Sequence, residues 1–404
     1  MKIKEMNLLG VYIHIPFCVR KCDYCDFLSA PSDEKTMEKY VNALIKEIEY
    51  SKNKMAEYLI DTVFIGGGTP SILEENLVVK ILDALRENCQ VASDAEITVE
   101  CNPGTVTEKK FAAYQMAGVN RISFGLQSTD NEELKSIGRI HSYEDFLESY
   151  RMARACGFQN INVDLMSALP GQTIVSYRKT LEKVLALKPE HISAYSLIVE
   201  DGTKMKERVD REQTKGNSIL PKEEEEREMY YLTKELLSQE GYECYEISNY
   251  AKKGYACRHN IGYWKRKDYL GFGIGAASLY QGMRYRNIGN INSYMNALLK
   301  EHKKGSVEQN QISEKDLALN QLEEDIEKLS LKDIMAEFMF LGLRMTEGIS
   351  IYAFEKQFGK TYREVYGEVS DQLIKDGLLE QKDNYICLTE RGVDVSNYVM
   401  AEFL

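Results

Sequence analysis

Apolar positions along the first two hundred residues switch between two periods. Short runs rich in β-branched and aromatic residues occur at Val11–Ile15, Asp61–Ile65, Glu96–Glu100, Arg121–Gly125, Asn160–Leu165 and His191–Leu197. These predict strands. Between them the apolar residues fall at helical spacing: Met37, Tyr40, Val41, Leu44, Ile45 and Ile48 would make one buried stripe, and Thr173–Leu187 and Glu223–Gln239 behave alike. Strand-then-helix units joined by short connections imply an α/β protein with a parallel sheet. The periodicity does not choose between an open sheet and a barrel. In either case chemistry gathers at the carboxyl ends of the strands.

From about Asn290 the strand pattern stops, and a polar connector rich in Lys, Glu and Gln is expected over 291–330. Ile334, Phe338, Leu341 and Leu343 then open a compact tail. It reads as a helix, Gly348-Ile-Ser, helices at Ile351–Phe358 and Tyr362–Asp376, Gly377-Leu-Leu, and a hairpin through Tyr385–Leu388. The expected organisation is a main unit over 1–290 and a winged-helix-like domain over 331–404.

Composition narrows the choice. The 404 residues are 44% hydrophobic and 28% charged, a balance that supports a folded core and argues against disorder. No long uncharged apolar run is available to span a membrane. The opening residues do not form a signal peptide, so a cytosolic location is expected. Of the net charge of −12, the segment 301–404 carries −9, with 21 acidic and 12 basic residues. A winged helix that reads nucleic acid should carry the opposite sign, so the tail is expected to pack or bind a protein. The acidic run Glu223–Glu226 suits the first turn of a helix, where carboxylates face the positive end of the helix dipole.

Nine cysteines, an odd number, argue against a disulfide framework. Three of them crowd one loop, Cys18-Val-Arg-Lys-Cys22-Asp-Tyr-Cys25, directly after the first predicted strand. Three thiolates can close around a metal centre. Structural zinc normally takes four protein ligands, and an iron–sulfur cluster usually takes four cysteines. Three would leave one iron open to an outside ligand, and the CxxxCxxC spacing favours that arrangement. Gly66-Gly-Gly-Thr-Pro70 follows the second strand and lacks the Lys-Ser/Thr of a nucleoside-triphosphate loop. Polar residues end the next strands: Glu100, Gln127 and Asp164, with Arg139 in a following helical segment. One such residue could cap a helix; several on one rim are more than capping needs.

The cysteine loop, with Tyr12-Ile-His-Ile-Pro-Phe before it, resembles the radical S-adenosylmethionine (SAM) superfamily. Within it, the chain resembles the group of oxygen-independent coproporphyrinogen III oxidases and related haem chaperones over essentially its whole length. The resemblance implies a partial (β/α)6 barrel in which Cys18, Cys22 and Cys25 hold a [4Fe-4S] cluster whose open iron takes SAM. Electron transfer from that cluster then cleaves SAM to a 5′-deoxyadenosyl radical. It further implies SAM contacts at Tyr12, Tyr24, Gly67, Gly68, Thr69, Glu100, Gln127, Arg139, Asp164 and Ile198. The related oxidases hold a second SAM, on which Gln127, Arg139 and Asp164 would fall, so the count is one or two.

Three features separate the branches of that group. The oxidases carry a further cysteine where this chain has Phe27, and a long segment precedes their cluster. Here Arg258-His259-Asn260-Ile-Gly-Tyr263-Trp264 matches the HNxxYW motif of the haem-chaperone branch. A neutral imidazole is a haem axial ligand, and aromatic rings pack on a porphyrin face. His259, Asn260, Tyr263 and Trp264 are therefore the expected haem residues, with Cys257 as an alternative ligand. Tyr245–Asn249 and Gly271–Ala276 also resemble the family and are expected to complete the SAM side of the pocket. The implied function is haem binding and delivery to haemoproteins, such as respiratory ones, with transient membrane contact and no nucleic-acid partner. The alternatives are oxidative decarboxylation of coproporphyrinogen III and a zinc-stabilised nucleic-acid module.

Overall fold

The computed structural model describes residues 6–300 and 314–404. Six parallel strands form its centre in chain order: β1 (Asn7–Ile15), β2 (Tyr58–Gly67), β3 (Gln90–Cys101), β4 (Arg121–Gln127), β5 (Ile161–Ser167) and β6 (His191–Ser196). Each predicted strand is present, and helices return the chain between them. The helix Glu34–Tyr50 buries Met37, Tyr40, Val41, Leu44 and Ile48 as its stripe requires, and Asp33 caps its start. Glu223–Gln239 begins with the four glutamates in its first turn.

Strand alternation gives the sheet two unlike faces. Val63, Ile65, Ile97, Val99, Ile122, Phe124, Ile161 and Val163 belong to the main hydrophobic core. The intervening positions are Phe64, Glu100, Arg121, Ser123, Asn162, Asp164 and Ser193, and these line one internal cavity. Side chains from β1 through β6 reach a common cavity because the sheet curves around it. It does not close, since β6 pairs with β8 (Asn249–Ala251) and not with β1. The fold is the α/β, partial (β/α)6 arrangement.

The sheet also extends beyond the six strands. On one side β8 and β7 (Glu243–Glu246) add antiparallel; on the other β9 (Tyr269–Phe272) runs parallel to β1, followed by antiparallel β10 (Ala277–Tyr280), β11 (Met283–Asn287) and β12 (Glu323–Lys328). The expectation that strands stop near Asn290 is therefore corrected. The described part of 291–330 contains the helix Ile291–Leu299, the helix Glu314–Leu322 and the edge strand β12. Polar composition concealed β12, because Glu-Glu-Asp-Ile-Glu-Lys is an edge strand whose side chains are largely exposed. Residues 301–313 lie outside the described residues.

The tail has the expected order, with helices Ile351–Phe358 and Tyr362–Lys375 and a small sheet of β13 (Ile349–Ser350), β15 (Tyr385–Leu388) and β14 (Leu379–Lys382). Its own core centres on Met339, Phe354, Tyr362, Leu373 and Phe403. Two backbone bonds join it to the barrel, Ile247 N to Arg344 O (3.1 Å) and Thr346 N to Tyr245 O (3.0 Å). A buried carboxylate adds to them. Glu337, on the helix Leu331–Gly342, accepts from Arg266 at 2.6 Å and pairs with Arg284 at 2.8 Å. Removing one partner from a buried ion pair strands the remaining charge. Glu337→Ala should therefore lower unfolding stability by about 3 kcal/mol or more, and Glu337→Gln by less. Urea denaturation checks this; an alanine variant as stable as wild type would contradict it.

Candidate functional site

The cysteine loop leaves β1 through Pro16-Phe17 and is closed at its base by Cys18 N to Ala30 O (3.2 Å) and Ala30 N to Pro16 O (3.0 Å). His14 braces it from below. Its Nε2 donates to Leu28 O at 2.9 Å and its Nδ1 accepts from the Tyr12 hydroxyl at 3.1 Å. Burial lowers the His14 pKa, which keeps the ring neutral for both roles. All nine cysteines are free thiols. Thr69 Oγ1 donates to Cys18 Sγ at 3.4 Å, and Arg139 Nη1 to Cys22 Sγ at 3.7 Å. Both are donors suited to stabilising anionic sulfur.

Cys18, Cys22 and Cys25 line a cavity of about 140 Å³ together with Tyr24, Gly67, Gly68, Thr69, Glu100, Gln127, Arg139 and Asp164. Of the residues expected around SAM, only Tyr12 and Ile198 are outside it. Tyr12 lines the adjoining cavity. Ile198 follows β6 with 69% of its surface exposed. The glycine loop is shaped by close approach: a Cβ on Gly68 would lie 2.6 Å from Phe17 O and 2.8 Å from Ile15 O. Gly68 N instead bonds Ile15 O at 2.8 Å, and Thr69 N bonds Phe17 O at 2.7 Å, which ties this loop to the cysteine loop. Gln127 adopts a left-handed φ of 73°, a strained conformation in which its Oε1 accepts from Tyr195 at 3.2 Å.

The charged groups of this cavity include two carboxylates, Glu100 and Asp164, and an arginine, Arg139. Glu100 accepts from Gly67 N at 3.1 Å. Burial first, and the nearby Asp164 second, push its pKa up to about 8. Burial also raises Asp164, whose carboxylate accepts from Asn162 Nδ2 at 2.7 Å. Arg139 donates to the Gly125 carbonyl and to Asn102 Oδ1, while its buried Nε has no hydrogen-bond partner among the described residues. Two buried carboxylates and an arginine with donor capacity to spare fit a zwitterionic ligand such as an amino acid.

A second cavity of about 560 Å³ shares Phe27, Gly67, Glu100, Ser123 and Asp164 with the first and continues down the inner face of the sheet. His259, Asn260, Tyr263 and Trp264, all on the helix Arg258–Trp264, line it. His259 is engaged at both ring nitrogens, with Thr62 Oγ1 at 2.9 Å and Tyr263 OH at 3.0 Å. Burial drives its pKa down to about 3. The imidazole is neutral, and reaching a metal through Nε2 would displace the tyrosine hydroxyl. Cys257 is buried, donates to Glu96 at 3.4 Å and has a pKa pushed up to about 12 by burial, so it is a thiol. Trp264 packs under Arg344, whose guanidinium lies 4.4 Å from the ring centre, and its buried indole N–H has no acceptor among the described residues.

Two expected segments serve elsewhere. The Tyr245 hydroxyl bonds His191 Nε2 at 2.8 Å and accepts from Cys257 N at 3.3 Å, while Gly273 N and Ile274 N donate to the Glu47 carboxylate and the Tyr40 hydroxyl. Neither segment lines the cysteine cavity; both brace the wall behind it. Sequence reasoning missed Asn102, Arg121, Ser123, Asn162, Ser193 and Tyr195. Their signal was the polar residue at every second strand position, set among residues otherwise read as continuous buried runs.

Comparison with known proteins places the chain in a family. A model described as the radical SAM superfamily matches residues 12–184, and one described as the HemN C-terminal domain matches residues 329–395. The chain is 35% identical to the heme chaperone HemW of Lactococcus lactis, covering 98% of this chain and 97% of that one. It is 36% identical to HemW of Bacillus subtilis, covering 98% and 99%. In structure it resembles the Escherichia coli coproporphyrinogen III oxidase HemN, a radical SAM enzyme, with a TM-score of 0.79 over 99% of this chain and 90% of that one at 21% identity, a likeness of fold. With a radical SAM core, a HemN-type tail and full-length similarity above 30%, this chain belongs to the HemW family of the radical SAM superfamily.

Proposed function

We propose that this chain is a radical SAM haem chaperone, holding a [4Fe-4S] cluster, SAM and haem and delivering haem to recipient haemoproteins. The observation that carries this reading is the pair of adjoining cavities, one ringed by the three thiols and the other walled by the HNxxYW residues. Cys18, Cys22 and Cys25 would hold the cluster and leave one iron without a protein ligand. The cluster, when bound, supplies an electron toward SAM. The chain's own part is positioning. Gly67, Gly68 and Thr69 would line the ligand's side of the loop, their N–H groups held by Glu100, Ile15 and Phe17; Glu100 would receive the ligand's ammonium, and Gln127, Arg139 and Asp164 would surround the remainder, whether one SAM or two are held. Tyr24 closes the loop side.

Haem would take the larger cavity, with Tyr263 and Trp264 against its face and His259 behind them. His259 orients Tyr263 through the 3.0 Å bond, and its Nε2 would be free to hold haem iron only once that bond is broken. Phe27, 60% exposed and lining both cavities, stands where the related oxidases have a cysteine, which favours the chaperone over coproporphyrinogen decarboxylation. Reduced thiols fit a cytoplasmic setting. Among the described residues no helix is long and apolar enough to cross a membrane, so contact with a respiratory recipient at the membrane would be transient.

Two outcomes are expected. Because burial raises the Glu100 pKa to about 8, taking up an ammonium below that pH should release its proton. SAM affinity should rise with pH between about 6 and 7.5, where the ligand's amino group remains protonated. Calorimetry in buffers of different ionisation enthalpy should show net proton release that Glu100→Gln abolishes; binding without release would contradict the assignment. Haem should quench more than half of the emission of Trp264, the only tryptophan in the chain. Unchanged emission, together with vinyl product formed from coproporphyrinogen III, would favour the oxidase instead.

A further inference from the structure

Arg121 opens β4, six residues before Gln127, which places it at the end of the strand opposite the cysteine loop. It is 2% exposed and among the largest fully buried side chains. An arginine does not shed its charge on burial, so a buried guanidinium needs a partner. Glu96 and Asp164 answer its charge only at longer range; among the described residues no carboxylate lies within ion-pairing distance, none of its N–H groups makes a hydrogen bond, and its Nε is buried and unsatisfied.

The acids that might have served are committed. Glu96 accepts from Cys257 Sγ (3.4 Å), His259 N (3.1 Å) and Arg258 N (3.0 Å). Asp164 accepts from Asn162 and, at 3.5 Å, from Ser123, and Glu100 accepts from Gly67 N. The guanidinium instead lines the 560 Å³ cavity. Buried N–H donors left facing a cavity in this way carry a desolvation cost unless something in the cavity accepts from them.

The rest of the lining describes what that would be. Phe64, Tyr263, Trp264, Tyr269, Leu279 and Leu341 make the walls largely apolar and aromatic, suited to a flat ring. Arg284, the other arginine of the lining, is already paired with Glu337. The cavity thus offers an apolar slot with a free, forked donor within it, and that donor matches a carboxylate in a bidentate pair.

We propose that Arg121 anchors a propionate carboxylate of the bound tetrapyrrole. This rests on the haem reading above and deepens it, by giving the ligand an orientation: ring against Trp264, one carboxylate turned toward the floor of the barrel. Binding then depends on the side-chain carboxylates as well as on the ring and iron.

The test compares haem with haem dimethyl ester, in which both carboxylates are blocked, on full-length protein with its cluster reconstituted. Absorbance titration and Trp264 quenching both report binding. Wild type should bind haem about tenfold or more tighter than the ester, the range expected for a charge-assisted pair. Arg121→Gln should lose that discrimination by weakening haem alone, and Arg121→Lys should keep part of it. Retained iron and sulfide content shows that the variants are folded, and the wild-type comparison needs no variant. Equal affinity of wild type for haem and ester, or unaltered haem affinity in a folded Arg121→Gln, would overturn the role of Arg121 and leave the haem reading standing. Wild type that binds neither compound would overturn both.

Discussion

A curved sheet that turns a polar face inward must account for every charge it shuts away from water. That constraint organises this molecule. The outer faces of β2 to β5 are apolar and pack under helices, while the inner face carries Glu96, Glu100, Arg121, Asp164 and His191. Each is dealt with differently. Glu96 accepts two backbone N–H groups and a thiol. His191 stays neutral between Asn162 and Tyr245. Glu100 and Asp164 are pushed toward their protonated forms by burial. Arg121 has no such escape. The groups resolved within the protein are structural, and those left unresolved line the cavities.

This division separates the two ends of the barrel. At the carboxyl ends of the strands, thiols, glycine backbone and raised carboxylates suit a cluster and a zwitterion. Toward the amino ends, aromatic rings and a lone guanidinium suit a flat anion. The tail belongs to the second end. Its helix Leu331–Gly342 sends Leu341 into the cavity lining and Glu337 to two barrel arginines. The family's C-terminal domain is thereby part of the wall of the site.

Much of this was legible in the sequence. The six strands, the helix Glu34–Tyr50 and the order of the tail followed from periodicity, because each buries a regular stripe or run. The cysteine loop and the rim residues Glu100, Gln127, Arg139 and Asp164 also came together as expected, since chain order around a parallel barrel fixes their rim. Three things were hidden. β12 is too polar and exposed to be read as a strand. The double engagement of His259 depends on Thr62, almost two hundred residues away in the chain. That Arg121 makes no hydrogen bond among the described residues is a property of where Glu96 and Asp164 point, and no local pattern records it.

The central claim is that cluster with SAM and haem occupy adjoining but separate cavities. The most direct measurement is a haem titration of cluster-loaded protein with and without saturating SAM, repeated on a variant with Cys18, Cys22 and Cys25 changed to serine. One haem should bind per chain in every case, with SAM still bound to the cluster-loaded protein where it was added. Haem that expels SAM, or that fails to bind once the three cysteines are gone, would contradict it.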